Sequence, residues 1–246
     1  MIPIRIQNKQ DFLGNFLSPI SKLTENTVIR VRKNSMNALC SSNDGTLIVN
    51  CTMEQDNDVE ETIYLNIPDI NRLIKVLTCI QDDTDLSLNY NNNNIEYKSP
   101  DVGFKYHLLD DGIIDPPQID IEKIKKIDFN FTFAVSPETI NQLIKASTFT
   151  TDTNKIYFTT TDGMVYASLT DKQRHNVDSF TQIVSRKYEG DSLSEGLALS
   201  FETIRVISSI RFDSLTVRVN PGLNVFLFEI KTNKTTLLVI SSGFVG

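Results

Sequence analysis

Residues 131–147 read Phe131-Thr132-Phe133-Ala134-Val135-Ser136-Pro137-Glu138-Thr139-Ile140-Asn141-Gln142-Leu143-Ile144-Lys145-Ala146-Ser147, and they hold two elements and the boundary between them. From Ile127 to Val135 the segment alternates, with Phe129, Phe131 and Phe133 on one face, which predicts a half-buried strand. Ser136 is a good N-cap, and Pro137 fills a first helical position where a missing N–H costs nothing. Ile140, Leu143 and Ile144 then give the i, i+3, i+4 stripe of a short helix, predicted over 137–148.

The same pattern occurs earlier in the chain. A shift of 127 residues sets Leu13, Phe16 and Leu17 on Ile140, Leu143 and Ile144, and the helix so marked, 8–22, also follows an alternating segment, Ile2 to Gln7. Val28-Ile29-Arg30-Val31 falls on Lys155-Ile156-Tyr157-Phe158, and Asn37-Ala38-Leu39-Cys40 on Met164-Val165-Tyr166-Ala167. Strand, helix, strand, strand is thus read twice.

Each half also holds a second helix, over 67–80 with Asn66 as its N-cap and Pro68 in its first turn, and over 201–212 with Ser200 as its N-cap. Strands follow at 86–90, 95–98 and 103–109, and again at 215–219, 224–231 and 236–241, with Asn91 to Asn94 and Asn220-Pro221-Gly222 as turn chemistry. Asp115-Pro116-Pro117 cannot join a central ladder, so 111–126 is read as a surface linker. The expectation is an α+β chain of two similar strand-rich domains with two short helices each, 1–110 and 127–246, joined by a connector at 111–126.

With 246 residues, 40% hydrophobic and 22% charged, the chain has enough material for a buried core and is not of disordered composition. No apolar run approaches the ~18 residues of a membrane span, and Met1 to Ile6 reads as a strand rather than a signal sequence, so an intracellular, soluble protein is expected. Cys40, Cys51 and Cys79 make no disulfide framework and are read as reduced and buried. With only His107 and His175 as imidazoles, neither near a Cys, Asp or Glu at zinc spacing, no metal and no cofactor is expected.

The formal net charge of -7 argues at first against nucleic acid. The charge is, however, partitioned by element. The four helical stretches hold Lys9, Lys22, Arg72, Lys75, Lys145, Arg205 and Arg211 against Asp11, Asp69, Glu138 and Glu202, which is +3, leaving -10 for the rest. The four acidic residues all sit in first turns, where they favour the helix dipole. Beyond those turns the polar faces are basic or neutral, a lining suited to duplex phosphates without reading sequence.

With these features the sequence resembles a DNA sliding clamp, the processivity factor of a replicative polymerase. It is most similar to the trimeric clamp of T-even-like bacteriophages and to the proliferating cell nuclear antigen fold. The resemblance spans nearly the whole chain and is carried by 131–147 and by the Asn220-Pro221-Gly222 turn with the long strands after it. It implies a homotrimeric ring with sheets outside and helices inside, encircling duplex DNA, loaded by an ATP-dependent clamp loader and tethering DNA polymerase, in the cytoplasm of an infected host cell. The seven basic residues would then be the DNA-binding set. The ring would close by pairing strand 103–109 of one subunit with a strand near 180–187 of the next. The resemblance also implies a partner-peptide pocket around Ile113, Ile114, Ile240 and Phe244.

Signals of an enzyme are absent: there is no Gly-rich phosphate loop, no Gly-x-Ser-x-Gly elbow and no His-Glu-x-x-His pair. The pairs Glu60-Glu61, Asp82-Asp83 and Asp110-Asp111 are read as solvated carboxylates. Lys172-Gln173-Arg174-His175 is a basic loop open to two readings, a DNA contact at the ring's edge or an exposed hairpin tip. The rival functions are a non-enzymatic β-rich structural or interaction protein of a phage, and a monomeric processivity factor.

Overall fold

The computed structural model describes residues 1–81, 85–151, 153–174, 176–193 and 196–245; Asp82-Asp83 and His175 lie outside the described residues. The chain forms two compact units, Met1–Ser42 with Val49–Gln118 and Asn233–Thr236, and Asn43–Ile48 with Ile119–Thr232 and Leu237–Gly246.

The first unit contains β1 (Ile2–Ile6), α1 (Lys9–Asp11), a π-helical turn (Phe12–Leu17), α2 (Ser18–Ser21), β2 (Thr27–Arg32), β3 (Ser35–Ser41), most of β4 (Leu47–Glu54), β5 (Ile63–Ile67), α3 (Ile70–Thr78), β6 (Leu86–Asn91), β7 (Asn94–Lys98) and β8 (Gly103–His107). One sheet runs β1-β6-β7-β8, and β4-β3-β2-β5 lie in that order in another. The second unit contains α4 (Ile121–Lys125), β9 (Phe131–Val135), α5 (Pro137–Ala146), β10 (Lys155–Thr161), β11 (Met164–Leu169), β12 (Phe180–Ser185), β13 (Glu189–Gly190), β14 (Leu197–Ser200), α6 (Glu202–Ser208), β15 (Leu215–Asn220), β16 (Val225–Lys231), most of β17 (Thr235–Ser242) and β18 (Phe244–Val245). Here β9-β15-β16-β17 repeats β1-β6-β7-β8, and β12-β11-β10-β14 repeats β4-β3-β2-β5. The internal repeat read in the sequence is therefore a repeat of strand order.

The helices depart from their predicted bounds for identifiable reasons. Residues 8–22 do not form one α-helix. Asn8 caps the start by accepting the Asp11 N–H at 2.9 Å, but Pro19 has no N–H for the carbonyl of Asn15 four residues back. The turn before Pro19 widens to π geometry, and the Cys51 thiol donates to the Asn15 carbonyl at 3.5 Å. The helix predicted from 67 begins at Ile70, because a residue before proline stays extended and β5 runs through Ile67 to meet Pro68. Its cap is Asp69, which accepts the Arg72 N–H at 2.8 Å, whereas Asn66 binds Asp111 Oδ1 at 2.8 Å. Ser136 and Pro137 act as predicted, with Ser136 Oγ accepting the Thr139 N–H.

In the second unit Phe131, Phe133, Phe158, Phe226 and Phe228 form a continuous chain of rings with centroids 5.5 to 6.1 Å apart, the main apolar mass of the core. Phe129 does not share this face. β9 begins at Phe131, and Phe129 packs with Ile121 and Ile124 of α4 against buried Leu227, Leu238 and Ile240. The 111–126 linker is thus partly helical, capped by Asp120, which accepts the N–H groups of Glu122 and Lys123. β13 lies against β9 because residue 190 is glycine. Its φ is +98°, and a Cβ there would stand 1.7 Å from the Asn130 carbonyl oxygen.

Candidate nucleic-acid interface

In each unit the two helical segments pack side by side, α3 against α2 and the π turn, and α5 against α6. Leu73 and Leu77 of α3, Ile140 and Leu143 of α5, and Ile204, Val206 and Ile207 of α6 are buried by this packing and by the sheets. The 3.6-residue period then turns Arg72 and Lys75, Lys145, and Arg205 to solvent. Lys22 and Arg211, just past the ends of α2 and α6, are also exposed. Each unit's helix pair therefore carries three exposed basic residues.

Lys9 is not among them. It is 5% exposed, and its ammonium donates to the carbonyls of Ile80 and Gln81 just beyond α3. A buried ammonium engaged with backbone is a structural group, so Lys9 leaves the DNA-binding set and the helical balance becomes six basic to four acidic. Of those acids, Asp69 and Glu138 sit at helix N-termini, Asp11 is held by Asn15 and Thr235, and Glu202 is paired with Arg205 at 2.9 Å. A hydrogen bond from Ser136 holds the Glu138 carboxyl below its ordinary range. The Arg205 guanidinium also lies over the Phe201 ring, 5.4 Å from its centroid.

Small polar residues between the basic ones use their hydroxyl protons inside the helices. Thr78 donates to Ile74, Ser147 to Ile144, Ser208 to Arg205 and Ser209 to Val206, all at 2.6 to 2.8 Å. Attraction for an anionic backbone on these faces thus comes from the basic side chains. In the 172–175 loop, Lys172 lies 4.5 Å over the Tyr157 ring and Arg174 pairs with Asp171 at 3.4 Å, so both cations already have internal partners.

The predicted pocket residues are dispersed. Ile113 is 65% exposed, while Ile114 lines a small cavity of about 90 Å³ with Val28, Leu39, Pro116 and Pro117 of its own unit. Ile240 is buried in the cluster against which Ile121 and Ile124 of α4 pack, so it can form only the floor of a surface site. Phe244 lies in β18, paired with Ala198, and is 40% exposed. The apolar surface of Ile121, Ile124 and Phe129 was missed in the sequence because 111–126 reads as linker, although the i, i+3 pair Ile121/Ile124 after Asp120 is a legible helical signal.

Two strands end their sheets uncovered. β8 is the last strand beside β7, and β12 the last beside β11. Among the described residues, neither has a backbone hydrogen-bond partner on its outer side. No described group of three or more His, Cys, Asp or Glu could hold a metal, and no described helix is long and apolar enough to cross a membrane.

Two repeated domains of this strand order, each with a helix pair, define the sliding-clamp fold of proliferating cell nuclear antigen (PCNA). Over 100% of its length the chain is similar to PCNA of A. fulgidus, solved with the C-terminal region of FEN-1 bound, at TM-score 0.76 and 13% identity, covering 99% of that chain. It is similar at the same TM-score to the PCNA2-PCNA3 complex of Sulfolobus tokodaii, with 11% identity and full coverage of both chains. PCNA of Thermococcus kodakaraensis also gives 0.76, with 13% identity over 99% of this chain and 100% of that one. No family model and no curated relative matches the sequence.

Proposed function

We propose that the protein is a DNA sliding clamp, a non-catalytic ring that encircles duplex DNA and tethers a replicative polymerase. The observation that carries the reading is the placement of charge. Six of the seven helical basic residues are exposed, three on each unit's helix pair, in a chain of net charge -7. An acidic protein whose helical stretches carry a net positive charge can hold DNA in a ring while the rest of its surface, net negative, repels it.

Ring closure is proposed to join β8 of one copy to β12 of the next. The two strands differ in repeat position, so their pairing is head-to-tail, the kind of contact that closes into a ring when the rotation allows. A homotrimer fits two domains per chain. Loading by an ATP-dependent clamp loader, phage origin and residence in an infected host cell belong to the same proposal. Partner peptides are proposed to dock near Ile113, Ile114 and Phe244, with Ile240 beneath, supported by the FEN-1 segment bound to the A. fulgidus protein.

The test combines light scattering with DNA retention. A mass near three chains of 27.8 kDa is expected. Replacing Arg72, Lys75, Lys145 and Arg205 with Ala should keep that mass and impair retention on circular DNA and polymerase stimulation. A strict monomer at all concentrations, or unchanged retention in the variant, overturns the reading.

A further inference from the structure

The first unit holds a groove of about 620 Å³ that plays no part in the proposed ring. Its apolar side is Ile2 at the end of β1, Val59 and Ile63, with the rings of Tyr64 and Tyr90; Ile2 and Tyr64 are 40% and 50% exposed. Its rim is Asp58, Glu60, Glu61 and Asp111, all exposed, and no basic residue lines it. None of these four carboxylates is ion-paired with a described residue. Partial burial, with a smaller contribution from the nearby Asp111 charge, pushes the Tyr90 phenol up.

The two strands bordering the groove treat their edges differently. Along β1, Pro3 has no N–H, and the N–H groups of Arg5 and Gln7 are taken by Asn57 Oδ1 at 2.8 Å and Gln55 Oε1 at 3.0 Å. On β5 the Asn66 carbonyl faces away from β2, where it accepts the Leu109 N–H at 3.0 Å. By the two-residue period, the N–H and C=O of Tyr64 face the same way, and among the described residues they have no partner.

We propose that this groove docks an extended basic and apolar peptide segment of a protein partner. An apolar side chain would lie on Tyr64 and Tyr90, flanking Lys or Arg would meet the four carboxylates, and the peptide backbone would bond Tyr64. Charge complementarity selects this occupant: a wholly apolar segment would offer no opposite charge to Asp58, Glu60 and Glu61, and an acidic one would be repelled. β1 is at the opposite end of its sheet from β8, so the site does not need the edge proposed for ring closure. The inference stands independently of the clamp reading.

The test is fluorescence anisotropy with a fluorescein-labelled peptide of about eight residues, long enough to cross the groove, carrying two Leu between Lys-Arg pairs. The full-length chain is used without DNA. Saturable binding is expected, weakened about tenfold by Glu60→Gln with Glu61→Gln and by a similar factor by Tyr64→Ala, and retained by Tyr64→Phe. Circular dichroism confirms that the surface variants are folded. Equal affinity for wild type and both weakened variants overturns the proposal, as does an all-Lys peptide that binds as tightly as the Leu-containing one.

Discussion

Lys9→Met separates a structural lysine from a DNA-binding one. The ammonium is buried and donates to Ile80 and Gln81, where the carbonyl end of α3 favours a positive charge. A hydrogen bond to a charged group contributes about 1.5–3 kcal/mol net, and the longer contact to Gln81, at 3.4 Å, adds little. Removing the ammonium also removes its desolvation cost, and Met fills most of the volume, so no large cavity opens. The expected loss is about 2 kcal/mol, with Lys9→Ala losing about 1–2 kcal/mol more through the cavity. Urea unfolding at one fixed protein concentration measures this, because self-association makes apparent stability concentration-dependent. Retention of the folded variant on circular DNA should match wild type, whereas Lys75→Ala should leave stability almost unchanged and lower retention. A Lys9→Met variant of wild-type stability that loses DNA retention would refute the assignment.

Direct binding to linear duplex should be weak and fall steeply with salt, while DNA circles retain the protein; gel shift against retention on a nicked circle measures the contrast, and equal retention on both forms contradicts a topological hold. Burial pushes the Cys40 thiol up to about 12 and Cys51 well above its ordinary value, while Cys79 is exposed, so Ellman's reagent should titrate one thiol in the native chain and three after unfolding. The unfolded chain ionises these thiols first, so their contribution to stability should decline as pH rises above about 9, read as a falling urea midpoint. Phe226→Ala removes a ring packed between Phe158 and Phe228 and should cost about 3–5 kcal/mol in the same assay.

Much of this fold is legible because each half writes it in local signals. Ser136-Pro137, the apolar i, i+3, i+4 stripes and the Asn-rich and Pro-Gly turns are decided within a few residues of themselves. β4 and β5 were not read. Leu47–Glu54 and Ile63–Ile67 do alternate, but no strong turn dipeptide marks the loop between them, and that loop is ordered by the amides of Asn57 and Gln55 reaching β1 some 50 positions away in sequence. The burial of Lys9 is hidden from the sequence for a related reason. Counting charge by element takes every lysine on a helical stretch as solvated, and only the tertiary position of Ile80 and Gln81 removes this one. The acidic groove was invisible because its carboxylates come from 58–61 and 111, which nothing local connects.

The treatment of sheet edges gives the self-association proposal its strongest physical footing. β1 is blocked by a proline and two side-chain amides, β5 is partly occupied by Leu109, and β13 and β18 are only two residues long. Such devices are how a protein avoids pairing with other chains. β8 and β12 have no such blocking group on their outer side among the described residues. They run five and six residues with their outer backbone unpaired among the described residues, and neither contains proline. Leaving two edges of this length open is costly for a monomer, since unpaired strand edges invite aggregation. The cost disappears if the two edges meet in a defined partnership. Because β8 belongs to the first unit and β12 to the second, one copy's β8 can meet the next copy's β12 and leave its own β12 for a third. Such a chain of contacts must close or grow without limit. The expectation is therefore a discrete closed assembly, and a light-scattering mass that keeps rising with concentration would mean that the edges pair without closing.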